Sequence, residues 1–471
     1  MFHLKPSHLL ALSCLLLPFA ARADEGGRVQ KTVLLDKITF KPVDEAKPDE
    51  IALRDKGDIF LSPDATYIAV RPNSTDKSET ILLDGKAGPI YQTISQLSWD
   101  KNGNLFYVGH RFKKDRIVGN NKEQILNADE IRGLAPANRK ILTLEELSLL
   151  ATGASVSPLV YAKRTEENWQ LVVSNNKAFA SVWANVSGIW PNANSEAQSI
   201  AYEVTDAAGK VALLKDGESL GGPRSVFDGV AVDPAWSPDG KHIAYCVKNG
   251  AKDYLCVDGK PVSVIDRAPQ FSWSPISNRV VVWGNELKTF SINISEEGKP
   301  LVGNALDATP FTPNQSKAGI TWSHDGMHWG FFAPASGDIY VDGVKKVSIP
   351  KGNEFPSLLA LDEDASTIAY SYKNGDSISV KAGDYEAGGF KAVQSLRFND
   401  EGKAPLFLAQ KDGNWSLYFG NEDIAFLNSA NEKAQPLTDW LPQGKGIYRI
   451  VMLEEEAENS KVVRYDIKLE K

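Results

Sequence analysis

Two histidines four residues apart flank a carboxylate in "SHDGMHWG". His324, Asp325 and His328 are donors of the kind that bind a divalent metal. Cys246 and Cys256 could join as a disulfide. "DEDAST", from Asp362, spaces oxygen donors like a calcium loop, yet it lacks the central Gly and distal Glu of an EF-hand. Eleven tryptophans offer flat faces on which sugars stack. "HRFKKDR", His110 to Arg116, is the most basic loop of an acidic chain. Through Arg111, Lys113 and Lys114 it could meet an acidic partner. No G-x-S-x-G elbow, P-loop or G-x-G-x-x-G opening a helix is present. The sequence therefore assigns no catalytic residue, no cofactor and no metal site.

The backbone that must position these groups is repetitive. "AWSPDGKHIAYCVKNGAKDYLCVDGKPV", Ala235 to Val262, holds a turn, an apolar run, a second turn and a second apolar run ending in Asp-Gly. Related copies are "IFLSPDATYIAVRP", "LSWDKNGNLFYVGHR", "FSWSPISNRVVVWGN", "ITWSHDGMHWGFFA", "LALDEDASTIAYSY" and "LRFNDEGKAPLFLAQ". A degenerate copy starts at Ile189, and weaker ones surround "VSPLVYAKR" and "GKGIYRIVML". The first apolar residues after the turn are Ile68, Leu105, Leu159, Ile200, Ile243, Val280, Trp329, Ile368, Leu406 and Ile447, at a mean spacing near 42. That period, with several short strands per unit, predicts an all-β chain of four-stranded β-propeller blades, about ten of them. In each unit strand a ends in aromatic-Ser, an SPDG-type turn leads to strand b, a polar loop to strand c, and Asp-Gly to strand d. "NRKILTLEELSLL", from Asn138, is the one helical pattern.

"WSPDGKHIAY" followed by "VDGK" resembles the WD40-like repeat of bacterial propellers, the kind found in the periplasmic propeller of the Tol system. It is also similar to the propellers that cap prolyl-oligopeptidase-type peptidases. The resemblance implies a propeller over nearly the whole chain, and no peptidase domain is expected after the repeats. One closed ring is expected, because closure protects edge strands. The last unit is short, and "KTVLLDKITF", residues 31–40, is expected to complete it and join the two chain ends.

The 471 residues carry 52 Lys+Arg against 60 Asp+Glu, a net charge of −8. Nucleic acid is thereby disfavoured as a partner. Residues 1–23 read as a secretory signal peptide: Lys5, an apolar run from Leu9 to Ala20, then Ala21-Arg22-Ala23. Residues 24–471 would form the propeller, exported to the periplasm or secreted, with no transmembrane segment in the mature chain.

The repeat also reassigns most of the candidate chemistry. His324 falls where Pro238 stands in the turn, and His328 where His242 opens strand b. Asp362 occupies the same turn slot. Trp99, Trp236, Trp273 and Trp322 share one position at the end of strand a and are expected to pack between blades. Trp183 and Trp440 fit no slot and are candidates for ligand contact. If "KNGAKD" centres its hairpin near Ala251, Cys246 and Cys256 lie opposite each other on one face, within disulfide reach. The alternative is a reduced pair of small buried hydrophobes. The reading that follows is a monomeric exported scaffold that binds a protein, peptide or envelope component through loops that differ in every blade. The alternatives are an enzyme of lyase or glycan-hydrolase type with acids converging in the central channel, and a purely structural repeat protein.

Overall fold

The computed structural model describes residues 22–23, 29–47, 49–76, 78–100, 102–136, 159–173, 182–192, 199–220, 229–265, 270–284, 287–294, 300–305, 319–333, 337–349, 358–398, 404–420, 422–427, 433–439, 441–444, 446–455 and 459–468. Among them there is no α-helix, and none is long and apolar enough to cross a membrane. The helical pattern from Asn138, Trp440 and most of residues 1–23 lie outside the described residues.

Eight four-stranded sheets begin at Ile59, Thr93, Asn185, Gly229, Gln270, Thr321, Leu359 and Ala392. Each is a sequential antiparallel meander a-b-c-d, the form of a propeller blade. The strands Glu130–Pro136, Leu159–Thr165 and Asn168–Val173 form a ninth sheet. The remaining sheet joins the ends of the chain. Val29–Thr39 pairs antiparallel with Ser460–Lys468, which pairs with Ile447–Glu455, and that strand pairs with Lys433–Pro436 and Leu441–Pro442. The N-terminal run thus supplies the outer strand to the last unit.

Why the repeats make turns is visible atom by atom. In the SPDG slot, Ser237 Oγ accepts the His242 N–H at 3.0 Å and donates to Asp239 Oδ1 at 2.6 Å. Ser323 repeats the first bond with His328, and Asp362 does so through its carboxylate to the Thr367 N–H at 2.8 Å. The fourth residue of the turn carries positive φ in six copies: Ala65, Gly103, Gly240, Ser277, Gly326 and Ala365. "DEDAST" is therefore a turn of the repeat.

The chain forms two compact units. One is Met1–Leu134 with Gln410–Leu417 and Asp423–Lys471; the other is Ala135–Ala409 with Tyr418–Glu422. In the first, Leu35, Ile38, Ile68, Val70, Leu82, Val451 and Val462 form one buried cluster. Glu454 is 0% exposed in the joining sheet. Its carboxylate pairs with Lys31 Nζ at 2.9 Å and Lys461 Nζ at 3.4 Å and accepts from the Tyr465 hydroxyl. In the same unit Gln96, at a bulge with φ 55°, donates to Ile131 O at 2.7 Å and accepts from Leu134 N at 2.9 Å.

In the second unit the shared tryptophan slot bonds sheet to sheet. The indole N–H of Trp236 donates to Trp190 O, and that of Trp273 to Ala235 O, each at 2.9 Å. Trp322 donates to Ser272 Oγ at 2.9 Å. Each ring reaches back to the sheet before its own.

The cysteines require a correction. Strand b runs to Asn249 and pairs with Lys252, so the loop is only Gly250–Ala251. The hairpin centre moves by half a residue, which sets Cys246 opposite Leu255 and Cys256 opposite Tyr245. A one-residue change of register reverses the face of a side chain. Cys246 packs with Ala244, Leu255 and Trp273, whereas Cys256 packs with Tyr245, Ile243 and Leu213. Both are free and buried, and burial pushes both thiols up to about 12.

Three outcomes follow. Native protein will resist maleimide at neutral pH, and unfolding without reductant will expose both Cys246 and Cys256 to alkylation; a disulfide-linked peptide in the digest would refute the observed register. Lys31→Met should cost about 2–3 kcal/mol, since it strips one partner from a buried carboxylate while Lys461 remains. Lys31→Met with Glu454→Met should recover most of that loss in urea unfolding.

The third outcome concerns acid. Burial pushes the carboxyls of Asp64, Asp239 and Asp325 up, but hydrogen bonds from Thr66 and Ser62, from Ser237, and from Ser323 respectively, with those from the backbone, outweigh it and leave each below the usual range. A depressed carboxyl stabilises above its unfolded value of about 3.9, and that contribution disappears as pH falls through the folded value. The melting temperature should therefore drop below about pH 4, and less steeply in the triple Asp→Asn variant.

Candidate binding hairpins

Five of the polar b–c loops are tighter than the sequence suggests, whereas the loop of residues 206–210 keeps five residues between Thr205 and Val211. In those five, strands b and c continue almost to the tip, leaving two residues at Phe112–Lys113, Glu166–Glu167, Gly250–Ala251, Gly375–Asp376 and Asp412–Gly413. Two-residue loops need positive φ to match the twist of the strands. Gly250 and Gly375 supply it without steric cost, at φ 65° and 61°. Phe112 and Lys113 adopt φ 55° and 59° with full side chains.

Phe112 is 82% exposed at the end of its hairpin. Its N–H donates to Gln92 Oε1 at 3.3 Å. The Arg111 guanidinium lies 5.8 Å from the centre of the Phe112 ring and 5.5 Å from that of Tyr91. Arg111 Nη2 donates to Glu123 Oε1 at 3.2 Å, and the buried Tyr91 donates its hydroxyl to the same oxygen at 2.8 Å. Burial, then the Glu123 hydrogen bond and charge, hold the Tyr91 phenol well above its usual range. Tyr107 meets Tyr91 edge-on, centroids 6.4 Å apart. Gly109 makes room for this stack, because a Cβ there would come within 2.5 Å of Tyr91 ring carbons.

The basic residues of the loop have unequal roles. Lys114 pairs with Asp129. His110 Nδ1 bonds Asp115 Oδ1 at 2.7 Å, and Asp115 Oδ2 accepts the Ile131 N–H of the following strand at 2.7 Å. Lys113 is exposed and has no ion pair among the described residues. Arg111 is committed to Glu123 and to the two rings. The sequence reading found the charges and missed Phe112, Tyr91, Gln92 and Glu123. The one signal for Phe112 was an aromatic where other tips carry Gly, Asp or Glu.

The other candidates sit in the frame. Trp183 exchanges both backbone hydrogen bonds with Trp169 at 3.0 Å and packs against the cluster of Val160, Leu171 and Val186. His328 Nδ1 bonds Asp342 Oδ2 at 2.6 Å, as His242 bonds Asp258 at 2.7 Å. Both brace a turn between strands c and d. Among the described residues no three His, Cys, Asp or Glu side chains are grouped to hold a metal ion.

No known family profile matches the chain, and no curated protein does. Solved structures with some similarity include a eukaryotic initiation factor, 12% identical, with a TM-score of 0.34, covering 89% of this chain and 91% of that one. The Dos1 propeller is 10% identical at a TM-score of 0.34, covering 76% and 90%. The β-propeller domain of Cps50 (Swd1) from Myceliophteria thermophila is 10% identical at 0.25, covering 69% and 95%.

Proposed function

We propose that the protein is an exported β-propeller that binds a protein or peptide partner of the cell envelope through its b–c hairpin tips. In this reading residues 1–23 are removed as a signal peptide, and the sheets are blades of one closed ring of about ten. The mature monomer then works in the periplasm or outside the cell. The likeness to the Tol-system propeller belongs to the same proposal. The observation that carries it is the contrast between equal loop length and changing side chains. Five tips close with two-residue loops, each with positive φ at its first residue, and present Phe-Lys, Glu-Glu, Gly-Ala, Gly-Asp and Asp-Gly. Variable tips carried on paired strands are the arrangement of recognition loops.

The test is an envelope pull-down read by mass spectrometry, with wild type against a variant whose five tips are all Asn-Gly, a pair suited to such loops. A partner retained by wild type and reduced at least tenfold by a variant of equal melting temperature is the expected result. Identical captures would remove the tips from the binding surface, and a mature N-terminus other than Asp24 would refute the assigned cleavage.

A further inference from the structure

Phe112 combines features that ordinary folding does not favour. A large aromatic at φ 55° sits in the left-handed region, which disfavours side chains with a Cβ. Such strain is held only where the surroundings over-determine it. The ring also gains little from burial, being 82% exposed. Meanwhile its position is fixed from below: Tyr91, Glu123 and Arg111 form a continuous stack under the ring, and Gln92 holds the backbone of the tip.

We propose that Phe112 and Lys113 form a pre-set anchor for a folded protein partner that offers an apolar pocket edged by carboxylates. The proposal rests on the binding reading above and names the chemistry of its partner. The aromatic supplies the apolar plug, and its fixed position lowers the ordering cost of association. Lys113 supplies the charge that selects the rim. Of the three cations at the tip, Arg111 and Lys114 are already neutralised by Glu123 and Asp129. One uncommitted cation on a chain of net charge −8 suits a local acidic rim. It is too few for an anionic lipid surface, which is held by clusters of basic residues.

The test needs no native partner. A phage library of small folded domains with randomised loops is selected against the full chain, because such selections converge on pre-organised hot spots. Most clones should lose at least tenfold in affinity to Phe112→Asn, should weaken to Lys113→Glu, and should carry Asp and Glu beside apolar residues. Phe112→Asn should also raise the melting temperature by relieving the tip. Clones indifferent to Phe112→Asn, or tip-dependent clones without acidic enrichment, would overturn the proposal. So would a variant that melts lower, since the ring would then be packing the hairpin. Phe112-dependent sedimentation with phosphatidylglycerol vesicles would overturn it in favour of a lipid surface. If the envelope pull-down fails while these selections converge on the tip, the biological setting is wrong and the anchor stands.

Discussion

The first amide of strand b is the constraint on which the sheets depend. It lies at a strand end, where the ladder leaves it without a backbone acceptor. In five sheets the residue opening the c–d turn accepts it: Asp84 from Ile68, Asn120 from Leu105, Asp216 from Ile200, Asp258 from Ile243 and Asp342 from Trp329, at 2.8–3.2 Å. The N–H of that same turn residue donates back to the carbonyl of the same strand-b residue. All five acceptors have positive φ, as does the residue after each. Asp and Asn are the side-chain-bearing residues that best tolerate this conformation, and they also supply the oxygen. The Asp-Gly motif is thus set by two requirements at once, a backbone shape and an acceptor.

With strands fixed within a sheet, the links between sheets become regular as well. A carboxylate of one sheet accepts the N–H that starts the next: Asp115 takes Ile131, and Glu203 takes Val230 at 2.6 Å. The turns are chained in the second unit, where Asn192 Nδ2 donates to Gly240 O, Ser277 Oγ accepts the Asp239 N–H, and Ser274 Oγ donates to Gly326 O. With the tryptophan bonds, these satisfy polar groups that would otherwise be buried without partners. His242, whose slot His328 shares, stacks on Trp273 of the next sheet, centroids 6.2 Å apart.

Much of this was legible because turn chemistry is local. SPDG and Asp-Gly fix their backbone within four residues, so the period, the meander and the role of the N-terminal strand followed from spacing. What was illegible depended on half a residue or on distance. Polar residues such as Lys248, Asn249 and Lys252 suggest a loop, yet they continue the ladder up to the Gly250–Ala251 tip. That difference alone reversed the relation of Cys246 and Cys256. The stack under Phe112 draws on Tyr91, Gln92 and Glu123, residues 11 to 21 positions away, and no short motif records them.

The same regularity explains how a strained tip is tolerated. Phe112 ends a hairpin whose strands are paired from Arg111–Lys114 down to Phe106–Gly119. At its foot Asn120 and Leu105 close the reciprocal turn bond, and Asp115 ties the hairpin's flank to the following strand. Strain of about 1–3 kcal/mol at one residue is small against a ladder anchored at both levels. A tip on a weakly held loop would relax by moving, and the ring would lose its defined position. Here relaxation would mean breaking the ladder or the Tyr91–Glu123–Arg111 stack, so the cost of the conformation is borne by the frame and the side chain stays aimed at solvent.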